Sequence, residues 1–247
     1  MTEARTLDPE AALPPVSGGP EVELPTAFGN FRARAWTDNG TGIEHLSVSA
    51  KRNSDDAPLV RLHSECLTGD VMGSYRCDCG EQLDMALKLI QQQGGTLIYL
   101  RGHEGRGIGL ANKLRAYALQ EAGADTVEAN EQLGLPVDAR DYQAAAHILA
   151  ELGHSNIRLL SNNPDKLSRL LEYGIAVQEM VPTQVPARIQ NERYLLTKRD
   201  RMNHKLSLLT ELDEELSAEL EAAAEADFDI NLPDRPGNGT EHTKGAL

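Results

Sequence analysis

Apolar and polar residues alternate through the first part of the chain. Residues 22–24 and 31–36 alternate on either side of a turn at 28–30, and this pattern predicts a β-hairpin. Two further short apolar runs, at 46–48 and 59–62, continue the strands. The amino-terminal part of the chain is therefore predicted to be rich in β structure.

The period of the pattern changes after residue 80. Leu83, Leu87 and Ile90 recur on one face of a predicted helix, and the apolar run at 96–100 predicts a strand after it. A second helix is expected beyond the glycine-rich segment that follows this strand. Its inward face is predicted to carry Leu110, Leu114, Tyr117 and Ala118.

Helices and strands continue to alternate as far as residue 181. A third helix is expected at 141–152, and short strands are expected at 157–160 and 175–181. Between those strands Asn163 and Pro164 form a helix start signal, with asparagine as the N-cap and proline at the first helical position. This alternation indicates an α/β fold with a mixed sheet and flanking helices.

Both ends of the chain depart from this pattern. Residues 1–20 are rich in proline and glycine and have no hydrophobic periodicity, so a disordered extension is expected there. One domain is expected at 21–206. Within 207–247, leucines spaced as on one helical face predict an acidic amphipathic helix, followed by a loose tail.

Negative charge is concentrated at the two ends of the chain. The formal net charge is −14, of which residues 1–20 carry −2 and residues 211–247 carry −9, so the body carries −3. A body this close to neutral can still hold a cationic pocket for phosphates. Nucleic acid is not expected as a partner, because the sequence has no stripe of Lys and Arg with interleaved aromatic residues.

The sequence shows no sign of export or membrane insertion. No apolar run approaches the ~20 residues that a membrane span needs, and residues 1–5 lack the start of a signal peptide. A protein of the reducing cytoplasm, without membrane contact, is therefore expected. In that compartment clustered cysteines are more often metal ligands than disulfide partners, and an odd number of them favours the same interpretation.

The chain has three cysteines, Cys66, Cys77 and Cys79, and all fall within one short window. Three thiolates can surround one ion if the segment between them loops back. Structural zinc sites are closed by four protein ligands, whereas catalytic ones keep three and leave a position for water, whose pKa falls to about 7. The spacing leaves three alternatives open: a catalytic site, a structural site completed by a histidine such as His63, or buried reduced cysteines.

A glycine-rich segment at 104–109 lies between the strand at 96–100 and the second helix. Its glycines let backbone amides approach an anion, and the helix N-terminus adds partial positive charge. Glu104 could accept hydrogen bonds from guanine N1–H and the 2-amino group, and Arg106 could clamp a phosphate. Alternatively, these two side chains pair with each other on a solvated turn.

Several longer motifs follow one another in a fixed order. They occupy residues 61–70, 76–80, 104–110, 112–113, 115–117, 125–130 and 161–164. In order and spacing they resemble the GTP cyclohydrolase II family, over about residues 22–204. The resemblance covers neither the first twenty residues nor the extension after residue 206.

The resemblance implies the first committed step of riboflavin synthesis. GTP and water would give 2,5-diamino-6-(5-phosphoribosylamino)pyrimidin-4-one, formate and pyrophosphate. By similarity, Cys66, Cys77 and Cys79 would hold a catalytic zinc ion. Mg²⁺ would accompany the GTP phosphates, and the protein would be a homodimer.

The resemblance also implies roles for individual residues. Those that would contact GTP are Arg61, Leu62, His63, Ser64, Glu65, Gln82, Glu104, Gly105, Arg106, Thr126, Ser161 and Lys166. Asp138 and Arg140 would be the proton acceptor and the nucleophile, and Tyr117 would lie near the ring that opens. A guanidinium with a pKa above about 12 has no free lone pair, so Arg140 is alternatively a phosphate stabiliser. By themselves, Asp138 and Arg140 indicate only a surface ion pair.

Two other functions are compatible with these motifs. A homologue could open the ring and retain the formyl group, or act on a different base. Tyr117 disfavours this alternative, because some relatives with an altered outcome lose that tyrosine. The other is a zinc-stabilised binding protein without catalysis, which predicts a fourth protein ligand at the metal.

Overall fold

The computed structural model describes residues 16–51, 56–183, 185 and 188–202, which form one seven-stranded sheet with flanking helices. The strands are β1 (Val16–Thr26), β2 (Gly29–Asp38), β3 (Glu44–Ala50), β4 (Leu59–Ser64), β5 (Gly95–Leu100), β6 (Asn156–Leu160) and β7 (Ala176–Val181). Their order across the sheet is β1-β2-β3-β5-β4-β6-β7. The pairs β1–β2, β2–β3 and β3–β5 are antiparallel, and the pairs β5–β4, β4–β6 and β6–β7 are parallel. The predicted mixed sheet is therefore confirmed.

Six α-helices accompany the sheet in the part of the chain that the structure describes. They are α1 (Cys79–Gln93), α2 (Leu110–Glu121), α3 (Thr126–Gln132), α4 (Gln143–Glu151), α5 (Pro164–Glu172) and α6 (Ile189–Met202). The four helices expected between residues 83 and 174 are confirmed as α1, α2, α4 and α5. None of these six helices combines the length and the apolar character needed to cross a bilayer.

Two hydrophobic clusters lie on opposite faces of the sheet, because successive residues of a strand point to opposite sides. On β5, Ile98 and Leu100 belong to the cluster that includes α4 and α5, whereas Leu97 packs with Ile90 of α1. Residues of β4 and β6 divide between the two clusters in the same way. Helices therefore cover both faces of the central strands and hold their ends in fixed positions.

The carboxyl ends of β4, β5 and β6 meet at one edge of the sheet because these strands are parallel. Cys66 follows β4, the glycine-rich segment follows β5, and Ser161 follows β6 directly. Ligands of open α/β sheets bind beyond the carboxyl ends of the strands. The topology thus collects candidate residues from three distant parts of the chain.

The disorder expected for residues 1–20 is wrong for the last five of them. Strand β1 begins at Val16, and its pairing with β2 starts at Asp38. Most of β1 is exposed, so it lacks apolar alternation and is held by backbone hydrogen bonds. Gly18 also lies against Trp36, where a β-carbon would come within 2.8 Å of the ring. Residues 1–15, like the acidic helix and tail expected in 207–247, lie outside the described residues.

Helix α2 turns a different face inward from the one expected. Three of the four residues predicted to face inward are exposed: Leu110, Leu114 and Ala118. Lys113 and Ala116 are buried instead, and Tyr117 is half-buried. Lys113 lies against the polar loop that carries Cys66, so apolar spacing is a poor guide to this contact.

The hydrophobic pattern predicts neither α3 nor α6. Helix α3 nevertheless has a start signal in the sequence, because Asp125 accepts hydrogen bonds from the amides of Val127 and Glu128, and Glu128 accepts one from the amide of Asp125 at 2.8 Å. This capping box is visible in a sequence as an acid followed by glutamate three positions later. Helix α6 is mostly polar and lacks such a signal.

Candidate functional site

The three cysteines converge at the carboxyl edge of the sheet. Cys66 follows β4, and Cys77 and Cys79 stand at the start of α1. Their three Sγ atoms all lie within 4.8 Å of one another, and those of Cys66 and Cys77 are 3.7 Å apart. Tetrahedral zinc with Zn–S bonds near 2.3 Å places two sulfurs about 3.8 Å apart. The sulfurs of Cys66 and Cys77 therefore have the spacing that zinc requires, and the sulfur of Cys79 lies close enough to join them.

The histidine considered as a fourth ligand has other partners. Nε2 of His63 lies 3.0 Å from the carboxylate of Asp70, and the ring stacks on Tyr99. Within the described part of the chain, the group of side chains close enough to share an ion consists of the three cysteines. This arrangement favours a three-ligand site over a closed structural one.

The cysteine sulfurs share charge unequally when no ion is bound. Hydrogen bonds from Cys77 and Cys79 lower the pKa of Cys66 well below its usual range. The hydrogen bond to Cys66 raises the pKa of Cys77 to about 11, and the hydrogen bonds to its neighbours raise the pKa of Cys79 as well. An arriving ion would displace the remaining protons, since the thiolate is the form that binds metal.

Gly69 leaves space for the three sulfurs. A β-carbon at this position would lie 2.8 Å from Sγ of Cys77 and 3.1 Å from Sγ of Cys66. Any larger residue would have to push a candidate ligand aside. The sequence alone assigns this glycine no more than a structural or surface role, and its part in the cluster emerges only from the fold.

Lys113 and Glu104 form a buried pair beside Cys66. Nζ of Lys113 donates hydrogen bonds to Oε1 of Glu104 at 2.6 Å, to Oγ1 of Thr68 at 2.8 Å and to Sγ of Cys66 at 3.1 Å. The other carboxylate oxygen, Oε2, accepts the amide of Leu67 at 2.6 Å. The alternative in which Glu104 pairs with Arg106 is therefore not what the structure shows.

The glycine-rich segment follows an unusual backbone path. Gly105 and Arg106 both have left-handed backbone angles, with φ of 59° and 63°. Such a conformation is uncommon for a residue other than glycine and costs of order 1 kcal/mol or more. Both Nη atoms of Arg106 are buried without a hydrogen-bond partner among the described residues. The segment therefore holds a guanidinium with unused donors at the site.

A cationic cavity opens beside the thiols. We use this name for the space lined by Arg61, Arg106, Arg140, Lys166 and Lys198. Burial, followed by the charges of Arg61 and Arg140, lowers the pKa of Lys166 well below its usual value. Cations crowded into a partly buried space repel one another, and a polyanion would relieve that repulsion.

Backbone and side-chain contacts fix the cations of this cavity. Arg61 donates to the carbonyl of Leu160 at 3.1 Å and to Gln82 at 2.6 Å, and Lys166 donates to the carbonyl of Leu62 at 2.8 Å. The side chain of Leu62 itself lies in the core. Ser161 lines the cavity and caps its own turn, because its hydroxyl accepts the amide of Asn163 at 3.1 Å.

Asp138 and Arg140 form the expected ion pair, but not on the open surface. Nε of Arg140 donates to Oδ1 of Asp138 at 2.9 Å, and the Arg140 side chain is only 11% exposed. Burial opposes the charge on Arg140, yet the hydrogen bond to Asp138 raises its pKa above the ordinary value. Burial alone would raise the pKa of Asp138, and the bond to Arg140 lowers it overall. Both groups therefore remain charged.

A second space, which we call the thiol cavity, lies next to the cationic cavity and shares a wall with it. It is lined by residues that include Glu65, Cys66, Cys77, Gly105, Tyr117 and Thr126. The two cavities share the residues Ser64, Cys79, Arg106, Arg140 and Tyr194. Among the predicted site residues, Leu62, Glu104 and Asp138 line neither cavity, and the others line one or both. Glu104 and Asp138 nevertheless pair with the lining residues Lys113 and Arg140.

Besides Lys113, the sequence predictions miss two polar residues that help to build the site. Lys198 of α6 donates to Oδ1 of Asp78 at 2.6 Å, and Asp78 also accepts Gln82 through Oδ2 at 2.6 Å. Asp78 could have been suspected, because it stands between Cys77 and Cys79. Lys198 carries no local signal, since 120 positions separate it from its partner.

Replacing His103 with glutamine is expected to make the unfolding free energy depend less on pH between about 6.5 and 3. Burial, followed by the charges of Arg140 and Lys166, lowers the pKa of His103 from 6.5 to about 3. The unfolded chain takes up a proton below pH 6.5, whereas the folded protein resists it. The unfolding free energy is therefore unaffected by this histidine above pH 6.5, the unfolded pKa. As the pH falls from there towards 3, the histidine lowers the unfolding free energy by up to about 1.4 kcal/mol per pH unit.

Urea unfolding of both proteins at a series of pH values across this window measures the effect. Glutamine keeps a hydrogen bond within reach of Ser64, whose Oγ lies 3.1 Å from Nδ1 of His103. The unfolding free energy of the wild type minus that of the variant should decrease as the pH falls, because only the wild type binds a proton at this position on unfolding. A difference that stays constant with pH would contradict the prediction.

Known proteins are similar to this chain over most of its length. A family model described as GTP cyclohydrolase II matches residues 18–182. The riboflavin biosynthesis protein RibBA of Mycolicibacterium gilvum is 51% identical over 209 residues, which cover 82% of this chain and 49% of that protein. RibBA of Mycobacterium marinum is 54% identical over 200 residues, covering 78% of this chain and 47% of that protein. The chain thus spans about half the length of the curated relatives it matches.

Solved structures match the chain as well. One of them is RibBX, a two-domain 3,4-dihydroxy-2-butanone 4-phosphate synthase from A. baumannii, with 18% identity over 60% of this chain and 34% of that one. The TM-score of 0.32 is too low to indicate a shared fold.

Proposed function

Because the chain belongs to the GTP cyclohydrolase II family, we propose that it hydrolyses GTP in the first step of riboflavin biosynthesis. The products would be 2,5-diamino-6-(5-phosphoribosylamino)pyrimidin-4-one, formate and pyrophosphate. One observation carries the proposal: the three-thiol cluster and the cationic cavity share a wall that includes Cys79 and Arg140. A single nucleotide can then place its base at the thiols and its phosphates among the cations.

The overall reaction divides into cleavages at two atoms of GTP. At C8, one water molecule breaks the C8–N9 bond and leaves a formamide, and a second hydrolyses that formamide to formate. At the α-phosphorus, a third water molecule displaces pyrophosphate. A nucleotide that spans the shared wall would present C8 to the thiol cavity and the α-phosphorus to the cationic cavity.

The thiol cavity supplies a fitting site for zinc and for the ring that opens. Sulfur donors with this spacing suit zinc, which when bound would supply the Lewis acidity that makes water nucleophilic at neutral pH. Burial raises the pKa of Tyr117, so its phenol keeps its proton. The guanidinium of Arg76 lies 4.7 Å from the centre of the Tyr117 ring and restrains it. Tyr117 can therefore donate a hydrogen bond to the base.

The cationic cavity supplies charge for the departure of pyrophosphate. Arg61, Arg106 and Lys166 would contact the phosphates, and an anion would restore the proton on Lys166 that burial disfavours. Mg²⁺ would be held by phosphate oxygens, because the carboxylates of Asp78 and Asp138 are already paired with cations.

Arg140 is assigned the role of stabilising the phosphate and not that of nucleophile. Its hydrogen bonds to Asp138 raise its pKa, and a protonated guanidinium has no lone pair with which to attack phosphorus. In this assignment Asp138 orients Arg140, and water attacks the α-phosphorus. A phosphorylated Arg140 trapped during a single turnover would overturn the assignment.

The remaining contacts to GTP divide between the two cavities. The nucleoside would meet Ser64, Glu65, Gly105 and Thr126, and the phosphates would meet His63, Gln82 and Ser161. Leu62 would contribute through its backbone, because its side chain is buried in the core. Glu104 already accepts hydrogen bonds from Lys113 and from the amide of Leu67, so guanine would have to share its two oxygens with these donors.

The test of this function is to incubate zinc-loaded protein with GTP and Mg²⁺ and to quantify formate and pyrophosphate together. Equal amounts of the two support the proposal. Pyrophosphate without formate would indicate the alternative, a homologue that retains the formyl group. Neither product, with zinc bound, would indicate a zinc-binding protein without catalysis. A parallel assay with ATP tests whether the enzyme acts on a different base.

We also propose that the protein is a cytoplasmic homodimer. The family resemblance supports the dimer, and three reduced cysteines suit a reducing compartment. Light scattering on the full-length chain and on a chain truncated after residue 206 tests the assembly. A monomeric full-length chain would exclude the dimer, and a dimer that survives truncation would exclude the acidic extension as its interface.

A further inference from the structure

We propose that Lys113 is a positioning residue for the metal site, because its ammonium group balances the charge of the thiolates and ties their loop to Glu104. The inference rests on the proposed function for the identity of the metal. It is carried by Lys113, which lies outside the set of residues assigned to GTP and to the reaction, and by the contact of Lys113 with Glu104. Glu104 enters it as the partner of Lys113 and not as a reader of the base.

The contacts of Lys113 use its full capacity as a donor. An ammonium group has three donors, and here they meet three acceptors: the Glu104 carboxylate, the Thr68 hydroxyl and the Cys66 sulfur. The side chains of Lys113 and Glu104 are each only 9% exposed. Hydrogen bonds to charged groups in such a setting are stronger than those at a surface. Lys113 is therefore held in one position against a metal ligand.

Glu104 extends this contact into the backbone of the metal loop. Its second oxygen accepts the amide of Leu67, the residue that directly follows Cys66. From the other side, Asp70 accepts the amide of Cys66 at 3.0 Å. Two carboxylates thus fix the turn that aims the Cys66 sulfur, and Lys113 anchors one of them. A change at Lys113 would reach the sulfur both directly and through this turn.

Charge gives the second part of the argument. Three thiolates with one divalent ion carry a net charge of −1, and Cys66 and Cys77 are buried. Burial of an uncompensated charge is costly, and an ammonium group 3.1 Å from the Cys66 sulfur reduces that cost. Loss of Lys113 alone would leave the Glu104 carboxylate unpaired next to an already negative centre. Loss of both charges together would remove the repulsion.

This reasoning predicts a specific pattern in a double-mutant cycle. Lys113→Met is expected to weaken zinc affinity by about 10- to 100-fold, the range typical of outer-shell partners. Glu104→Gln alone should leave the affinity within a few fold, because Lys113 and an acceptor for Leu67 remain. The double variant should recover the part of the loss that the unpaired carboxylate causes and keep the part that loss of the Lys113–Cys66 contact causes. Lys88→Met, at an exposed position on α1, is the matched control and should bind zinc as the wild type does.

Two measurements that do not depend on catalysis test the pattern. Competition with a chromogenic chelator gives the zinc affinity of each variant. In cobalt-loaded protein, the sulfur-to-cobalt charge-transfer band should move to lower energy in Lys113→Met, because a thiolate without its N–H donor is more easily oxidised. Circular dichroism checks that each variant folds. If Lys113→Met does not fold, the double variant, which lacks the unpaired carboxylate, carries the spectroscopic test.

The outcomes separate this inference from the proposed function. A folded Lys113→Met protein with unchanged zinc affinity and an unchanged band would overturn the inference, even if the enzyme is active. A double variant that binds zinc more weakly than Lys113→Met would also overturn it. A wild-type protein that binds zinc but releases no formate from GTP would end the proposed function and leave the role of Lys113 intact.

Discussion

Replacement of Cys66 by serine is expected to abolish zinc retention and formate release together. The change removes one of three sulfur donors whose Sγ atoms lie within 4.8 Å of one another. A neutral hydroxyl is a poor substitute for a thiolate, and the activation of water that depends on the ion is lost with it. We expect formate release to fall at least about 1,000-fold, because a zinc ion held there would lower the pKa of its bound water from 15.7 to about 7.

The experiment combines elemental analysis for zinc with formate and pyrophosphate assays on the same preparation. Met72→Ser is a matched control, because Met72 ends the same turn with another sulfur atom but is 69% exposed and outside the thiol group. It should keep both zinc and activity. Full formate release by Cys66→Ser protein without zinc would refute the metal site as the source of the reactive water.

The second large effect is expected at Arg140. Replacement by glutamine should lower pyrophosphate release by about 100- to 1,000-fold, the usual loss when one preorganised electrostatic group is removed from an active site. Asp138 would then face the cationic cavity without its partner, and its charge would repel the phosphates. Lysine at position 140 should restore part of the rate, because it returns the charge but not the two-pronged geometry.

Single-turnover assays of pyrophosphate release check this effect. Arg101→Gln is the matched control, because Arg101 is exposed and is also close to a carboxylate, with Nη1 at 3.7 Å from Glu44. It should behave as the wild type does. An Arg140→Lys protein with no more activity than Arg140→Gln, together with a phosphorylated Arg140 in the wild type, would establish the covalent route instead.

The two variants together test whether the thiol cavity serves formate release and the cationic cavity serves pyrophosphate release. The ratio of formate to pyrophosphate should fall in Cys66→Ser, because the cationic cavity is built by other residues. It should not fall in Arg140→Gln, where the thiols are intact. Equal losses of both products in both variants would show that the two cleavages depend on a single site.

Local sequence signals predicted much of the scaffold. The alternation around residues 28–30 gave the β1–β2 hairpin, and the start signal at Asn163 gave α5, whose asparagine accepts the amide of Asp165 as an N-cap should. Both signals act between residues a few positions apart. The steric and hydrogen-bonding rules behind them therefore operate in any short stretch of chain.

Other features could not be predicted, because they depend on what each element packs against. Apolar spacing assigned the wrong inward face to α2, where the neighbour is a loop that offers the sulfur of Cys66 and the hydroxyl of Thr68 to Lys113. The same spacing missed the first part of β1, residues 16–21, which is mostly exposed and held by its backbone. A hydrophobic pattern records burial against apolar neighbours and is silent where the neighbour is polar or the strand is at an edge.

The sequence by itself determined the kind of chemistry: three thiols in one window, a glycine-rich segment, and a run of motifs that marks the family. Only the tertiary structure decided how these parts share a site. It placed Cys79 and Arg140 in one wall, gave Glu104 to Lys113 and not to Arg106, and brought Lys198 to Asp78 across 120 positions. The physical reason is that donor chemistry belongs to the residue type, whereas pairing between buried charges depends on distances that only the packed sheet and helices set.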